Sequence, residues 1–261
     1  MSAAPTLYVD RDTFVHRLDP RAKLAMVLAL FVAAYMFEHP LAVATPLAVA
    51  LGVLALTGGL RKLGRIKVVI TALFLAGFLV WPAYAPARGP VVVSTPVFDL
   101  TEYELLFALG RSERIVAFIV SGFAFITTTS NEEIVSGLRG LGVPYAFCFA
   151  LGTALRLFPT FLGATGTVKQ AQEARGLDLS AGGPLQRMRN YIPLLIPVLM
   201  TAVRNVNSQS MALEARGFDT DRERTFYDRR TFRAADWGVT ALAVGVVVGV
   251  IGLWWLGVGQ L

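Results

Sequence analysis

Charge is scarce in this chain. Asp, Glu, Lys and Arg make up 16% of its 261 residues, where soluble domains carry about 25%. The shortfall falls in long uncharged runs, with 55% hydrophobic residues and a mean hydropathy of +0.58, which excludes an ordinary soluble domain. A single cysteine, Cys148, excludes an internal disulfide, and its apolar setting assigns it to packing. The two histidines, His16 and His39, are too far apart for metal-ligand spacing. Residues 1–23 are polar and the first apolar run ends in Glu38-His39-Pro40, so no cleavable signal pattern is expected.

Other absences narrow the chemistry. No Gly-x-x-x-x-Gly-Lys-Ser/Thr pattern occurs, so ATP hydrolysis by this chain is not expected. Neither paired carboxylates nor a nucleophile with a base can be picked out, so a non-catalytic protein without a cofactor is expected. The acidic clusters, Asp99, Glu102 and Glu104 and then Asp219, Asp221 and Glu223, read as solvated loop charge rather than the metal ligands of a membrane-embedded enzyme.

Five uncharged stretches fit membrane helices: 24–37, 41–60, 68–87, 115–131 and 238–261. None holds Asp, Glu, Lys, Arg or His. An ionisable group at mid-membrane costs at least about 2.5–3.5 kcal/mol and marks ion paths, so its absence argues against a secondary transporter, proton pump or intramembrane metalloenzyme. The first stretch is short and is expected to recruit Ala22 and a snorkelling Lys23 behind an Asp19-Pro20 start. Twenty-one of the 24 basic residues fall before the first stretch, between the second and third, or in 131–237; only Arg88, Arg111 and Arg114 fall on the other side. This bias places the N-terminus in the cytoplasm. It also accounts for the net charge of +6, including Arg222, Arg224, Arg229, Arg230 and Arg233, through contact with lipid headgroups and without nucleic acid. In the outer loop, Thr101-Glu102-Tyr103-Glu104 has capping-box spacing and predicts a short interfacial helix over 105–109.

The segment 131–235 is the most informative, and it is expected to form a coupling domain between a membrane part at 1–130 and a last span at 236–261. Ser130-Asn131-Glu132-Glu133 opens a short helix ending near Gly140. Two helices of about 48 Å follow, one from Pro144 to Arg175 and one from Pro184 to Arg216. Pro159, Pro193 and Pro197 should kink them. Their first halves are apolar enough for two further spans. Arg156 at mid-stretch, and the fact that successive spans would send Arg175 and Arg216 to opposite compartments, favour a cytoplasmic or membrane-grazing pair.

Both helices end alike. Gln172-Glu173-Ala174-Arg175-Gly176-Leu177-Asp178 recurs as Leu213-Glu214-Ala215-Arg216-Gly217-Phe218-Asp219. Arg in a last turn and Gly after it are ordinary helix-termination chemistry. Termination does not require the same Glu, Ala and Asp twice. A guanidinium at a fixed angle from a helix tip suits a carboxylate-lined cleft on a partner, and two tips suit two similar partners.

With Leu18-Asp19-Pro20-Arg21-Ala22-Lys23, the Thr-Ser-Asn-Glu-Glu entry at 129–133 and the paired Ala-Arg-Gly ends, the chain resembles the T components of energy-coupling factor transporters, a branch of ABC-type importers. The resemblance implies an all-α membrane protein of about five spans with two long crossed coupling helices. It also implies two ATP-hydrolysing partner subunits gripping Ala174-Arg175-Gly176 and Ala215-Arg216-Gly217, flanked by Glu173, Asp178, Glu214 and Asp219. A small substrate-binding membrane subunit is implied on the helices' apolar face, with a vitamin or transition-metal ion as cargo, ATP bound only by the partners, and a prokaryotic cell membrane as the location. The rival is a conventional ABC importer permease, whose Glu-Ala-Ala loop is loosely echoed by Glu173-Ala174, Gly182 and Ile192-Pro193.

Overall fold

The computed structural model describes residues 8, 9, 11–86, 88–94, 99–218 and 231–259. Asp219, and with it the acidic and basic residues of 219–230, lies outside the described residues.

Along the chain, α1 (Pro20–Met36) begins as its sequence predicts, with Asp19 accepting the Arg21 N–H at 2.9 Å and Pro20 in the first turn. α2 (Pro40–Thr57) ends at Gly58, whose φ of +75° closes the helix. Next come α3 (Leu60–Leu63), α4 (Lys67–Val80) and a 3-10 turn at Trp81–Tyr84. A two-stranded antiparallel hairpin, β1 (Val91–Ser94) and β2 (Asp99–Thr101), leads into α5 (Glu102–Thr128). After α6 (Asn131–Gly140) stand α7 (Tyr145–Ala174), α8 (Pro184–Asn190), α9 (Ile192–Ala215) and α10 (Ala234–Trp255).

The chain forms two compact units, Met1–Leu141 with Arg230–Leu261, and Gly142–Arg229. The coupling domain is expected from 131, and the second compact unit begins at Gly142. α6 packs on α1 because Gly137 and Gly140 leave room for Pro20 and Arg21.

In the first unit, α5 lies against α2, α4 and α1, and α1 also packs on α10. Leu30, Ala50, Leu54, Val120, Phe123 and Ala124 make one core cluster, and Ala33, Phe37, Val43 and Val250 another. Gly110 sits so close to the turn after α1 that a Cβ there would overlap the Glu38 carbonyl.

Two local expectations are corrected. The predicted interfacial helix over 105–109 is the start of α5, a single helix of 27 residues. The Thr101–Glu104 capping box closes as its spacing requires, Glu104 accepting the Thr101 N–H at 2.7 Å. Nothing then breaks the helix before Thr128, so the fourth expected span continues a charged half holding Arg111, Glu113 and Arg114. Lys23 does not snorkel. It is buried, and its ammonium donates to the carbonyls of Thr128 at 2.8 Å and His16 at 3.1 Å.

Four described helices are long and apolar enough to cross a membrane: Pro40–Thr57, Lys67–Tyr84, Tyr145–Ala174 and Ala234–Trp255. Three of them are expected spans. α1 is only 17 residues long, and α5 is diluted by the charges of its first half. The fourth helix is α7, so its length and composition alone do not separate a spanning helix from the cytoplasmic one expected.

In the second unit α7 packs on α9. α7 is continuous through Pro159, whereas the helix expected from 184 to 216 breaks at Tyr191. Pro193 has no N–H to offer the Arg189 carbonyl, so the chain restarts as α9. Among the described residues of α7 and α9 only Cys148 and Leu194 are buried, the former as packing chemistry anticipates. Phe158, Leu162, Ile196, Leu199, Met200 and Val203 are each at least half exposed. A helix pair with this much apolar surface in the open lacks a cover.

Candidate functional site

The two repeated heptapeptides fold into the same cap. Ala174 and Ala215 are the last helical residues. Arg175 follows at φ −87°, ψ 6° and Arg216 at φ −88°, ψ 5°. Gly176 and Gly217 then take φ of +92° and +66°, left-handed values that a side chain resists. The Leu177 N–H donates to the Gln172 carbonyl at 3.0 Å and the Gly176 N–H to that of Glu173 at 2.9 Å. In the second copy Phe218 donates to Leu213 at 3.0 Å and Gly217 to Glu214 at 2.9 Å. Each is a complete Schellman closure, with the helix's orphan carbonyls satisfied by the residues that turn the chain away.

The consequence is a matched presentation of two arginines. Both are exposed, and among the described residues neither guanidinium has a hydrogen bond or an ion pair. The caps use backbone atoms only, so both forks stay open to an outside acceptor.

The flanking residues divide by role. Glu173 faces Lys169 one turn back at 3.7 Å, an exposed pair of small energetic weight. Glu214 is exposed and makes no ion pair among the described residues. Asp178 works in its own loop, its carboxylate accepting the Ser180 N–H at 2.8 Å and hydroxyl at 2.6 Å. Those hydrogen bonds hold the Asp178 carboxyl below the usual carboxylate range. Asn190 donates to the Asp178 carbonyl at 2.9 Å, and Arg187 to the Ser180 carbonyl at 3.0 Å, stapling the loop to α8. Asp178 is thus accounted for by turn formation.

The tips differ in what lies behind them. The Phe218 ring rests on Phe149 with centroids 4.5 Å apart and lies 6.3 Å from Tyr145. These rings belong to the first two turns of α7, so the Arg216 tip is located at the N-terminal end of α7 while Arg175 ends its other extremity. From Phe149 to Arg175 the helix rises about 40 Å.

A second cluster escaped the sequence analysis. Asp236 is buried and accepts the Asp19 N–H at 2.7 Å and the Arg233 N–H at 2.8 Å, tying the start of α10 to the start of α1. Lys23 meets Glu133 at 3.3 Å, and the Arg21 guanidinium lies 5.7 Å from the centre of the Phe232 ring. The Leu-Asp-Pro-Arg-Ala-Lys and Thr-Ser-Asn-Glu-Glu segments are one joint in space. A helix-start signal was readable at each segment, but their pairing across 110 residues was not. Among the described residues, no group of three or more His, Cys, Asp or Glu side chains is placed to hold a metal.

Apolar helices of this length and number define an all-α integral membrane protein. A family model described as CbiQ, cobalt transport protein, matches residues 11–227. The energy-coupling factor transporter transmembrane protein EcfT of Limosilactobacillus fermentum is 28% identical over 262 residues, 94% of either chain. That of Brevibacillus brevis is 29% identical over 261 residues, 95% of this chain and 96% of its own. A putative ABC transporter ATP-binding protein of Bifidobacterium longum is 27% identical over 249 residues, 92% of this chain but 32% of that longer protein. The chain belongs to the CbiQ cobalt transport protein family, the transmembrane components of energy-coupling factor transporters. The permease alternative is not favoured by these matches.

Proposed function

We propose that this subunit converts ATP-driven motion of two partner ATPases into movement of a small substrate-binding membrane subunit that imports a vitamin or transition-metal ion. The observation that carries the reading is the pair of caps closed by the same backbone hydrogen bonds, each offering one open guanidinium. An Arg fork of this kind fits a carboxylate-lined groove, and two copies fit two related grooves. The similarity to a much longer ATP-binding protein supports joint action with such a partner. ATP is bound by the partners, and this chain supplies no catalytic group, cofactor or metal site of its own. No nucleic acid takes part.

The half-exposed apolar residues of α7 and α9 serve as the seat of the substrate-binding subunit. The pair lies at the cytoplasmic face and grazes the bilayer of a prokaryotic cell membrane, with the N-terminus inside. Arg156 supports this placement: it is exposed at mid-α7 and has no partner among the described residues, a costly state in lipid. Conversion of motion requires only that ATPase closure shift the tips and that the helices pass the shift on.

Co-purification tests the reading. Replacing both Arg175 and Arg216 by Ala should abolish capture of the ATPases by the membrane-inserted subunit. Undiminished capture by the double variant would refute it.

A further inference from the structure

The two tips are alike as caps and unlike in their attachment. Behind Arg175 the chain closes on itself: Asp178, Ser180, Arg187 and Asn190 hydrogen-bond within the loop and α8. Behind Arg216 the next residue but one, Phe218, leaves its own helix and stacks on α7. Its ring is 4.5 Å from Phe149 at an interplanar angle of 37°, and Phe149 is in turn 6.0 Å from Tyr145 one turn earlier. Tyr145 and Phe149 share a face of α7 by their four-residue spacing. The third ring completes a cluster whose centroids all lie within the range at which aromatic pairs attract.

We infer that Phe149 and Phe218 are positioning residues for coupling: their tilted, contacting rings tie the Arg216 tip to the root of α7, so each arginine acts on one end of that same helix. Arg175 is continuous with the C-terminal end of α7. Arg216 reaches the N-terminal end through Phe218, which Gly217 turns against the rings of Phe149 and Tyr145. A push on either tip is delivered to α7, whose flank exposes Phe147, Phe158 and Leu162. α7 is then a lever loaded at both ends rather than one of two independent arms. Termination alone does not need an aromatic here, since the first copy closes the same hydrogen bonds with Leu177 in that place.

The inference rests on the proposed function and is tested beside it in the reconstituted complex. The readouts are ATPase capture and substrate moved per ATP hydrolysed. Phe218→Ala should leave both ATPases bound, because both arginines remain, and lower substrate moved per ATP about threefold to tenfold. Phe149→Ala should lower the ratio less, because Phe218 keeps Tyr145, and the double variant should be no worse than Phe218→Ala, which already removes both ring contacts. Phe218→Tyr should restore the ratio. A merely structural role would lower the amount of folded protein and both rates together, leaving the ratio unchanged. If Phe218→Ala does not accumulate, Phe218→Leu and Phe149→Leu take its place, each expected to lower the ratio less. An unchanged ratio, or defects that add in the double variant, overturns the inference. Arg216→Ala separates the two readings: if it leaves ATPase capture intact, the proposed function fails, and if it weakens capture while the ring variants stay coupled, only the aromatic link fails.

Discussion

The Lys23 ammonium stands 3.3 Å from the Glu133 carboxylate, with the lysine side chain 3% exposed and the glutamate 12%. Lys23 also donates to two backbone carbonyls, and Glu133 closes the start of α6 by accepting the Ser130 N–H at 3.2 Å. One charge therefore ties the N-terminal segment, the end of α5 and the start of α6 together. Removing either partner takes the counter-ion from a largely buried charge, which costs about 3–5 kcal/mol. Lys23→Met and Glu133→Gln should each lower the thermal midpoint of the detergent-solubilised protein sharply. The paired replacement should cost less than the two single effects combined.

His16 makes that joint acid-sensitive. Burial, and after it the Lys23 ammonium, push the imidazole below its usual 6.5. Its Nδ1 lies 2.7 Å from the Thr13 hydroxyl and its ring faces Tyr8 edge-on, with Glu133 the nearby acid. A histidine whose folded value is depressed contributes stability that is full above 6.5 and is lost as pH falls through the folded value. Thermal midpoints should fall as the pH drops below 6.5, and His16→Gln should flatten that dependence.

Arg175→Ala and Arg216→Ala touch no contact among the described residues. Exposed substitutions of this kind shift stability by about 0.5 kcal/mol or less. Each single variant should melt as the parent does while ATPase capture and transport decline, and the double variant should retain neither. Wild-type transport in the double variant would remove the arginines from the mechanism.

The two cap glycines have open space where a Cβ would stand, so the penalty of substitution is conformational alone. Gly176→Ala or Gly217→Ala should cost about 1–2 kcal/mol of local stability, seen as faster amide exchange over the last turn of α7 or α9. Asparagine, which tolerates the left-handed region, should be milder at either position.

Gly110→Ala poses the opposite case, an ordinary backbone angle with no space. The new Cβ would meet the Glu38 carbonyl, a backbone atom that cannot swing aside. A loss of about 1–3 kcal/mol is expected, and denaturation in detergent should report it.

Much of this architecture is written locally. Asp19-Pro20 and the boxes at Thr101 and Ser130 declare their helix starts, and the Arg-Gly ends declare their stops, because capping is settled within four residues. The errors have a common source. The length of α5 could not be read, because a charged first half and an apolar second half look like two elements until packing against α2 and α4 joins them. Lys23 looked like a snorkelling residue because its acceptors, Thr128 and Glu133, are more than 100 positions away. The break at Tyr191 is signalled by Pro193, but a proline inside a helical pattern equally predicts a kink. At the site, the matched caps were legible and the aromatic seat of Phe218 was not. The four-residue spacing of Tyr145 and Phe149 hinted at a receiving surface, without naming what it receives.

Each Schellman closure is completed by backbone atoms inside its own six residues. The angle at which an arginine leaves its helix is therefore insulated from sequence drift along the rest of that helix. If the proposed function holds, descendant chains are free to remodel the apolar flanks for new membrane partners while keeping an unchanged handle for the same ATPases.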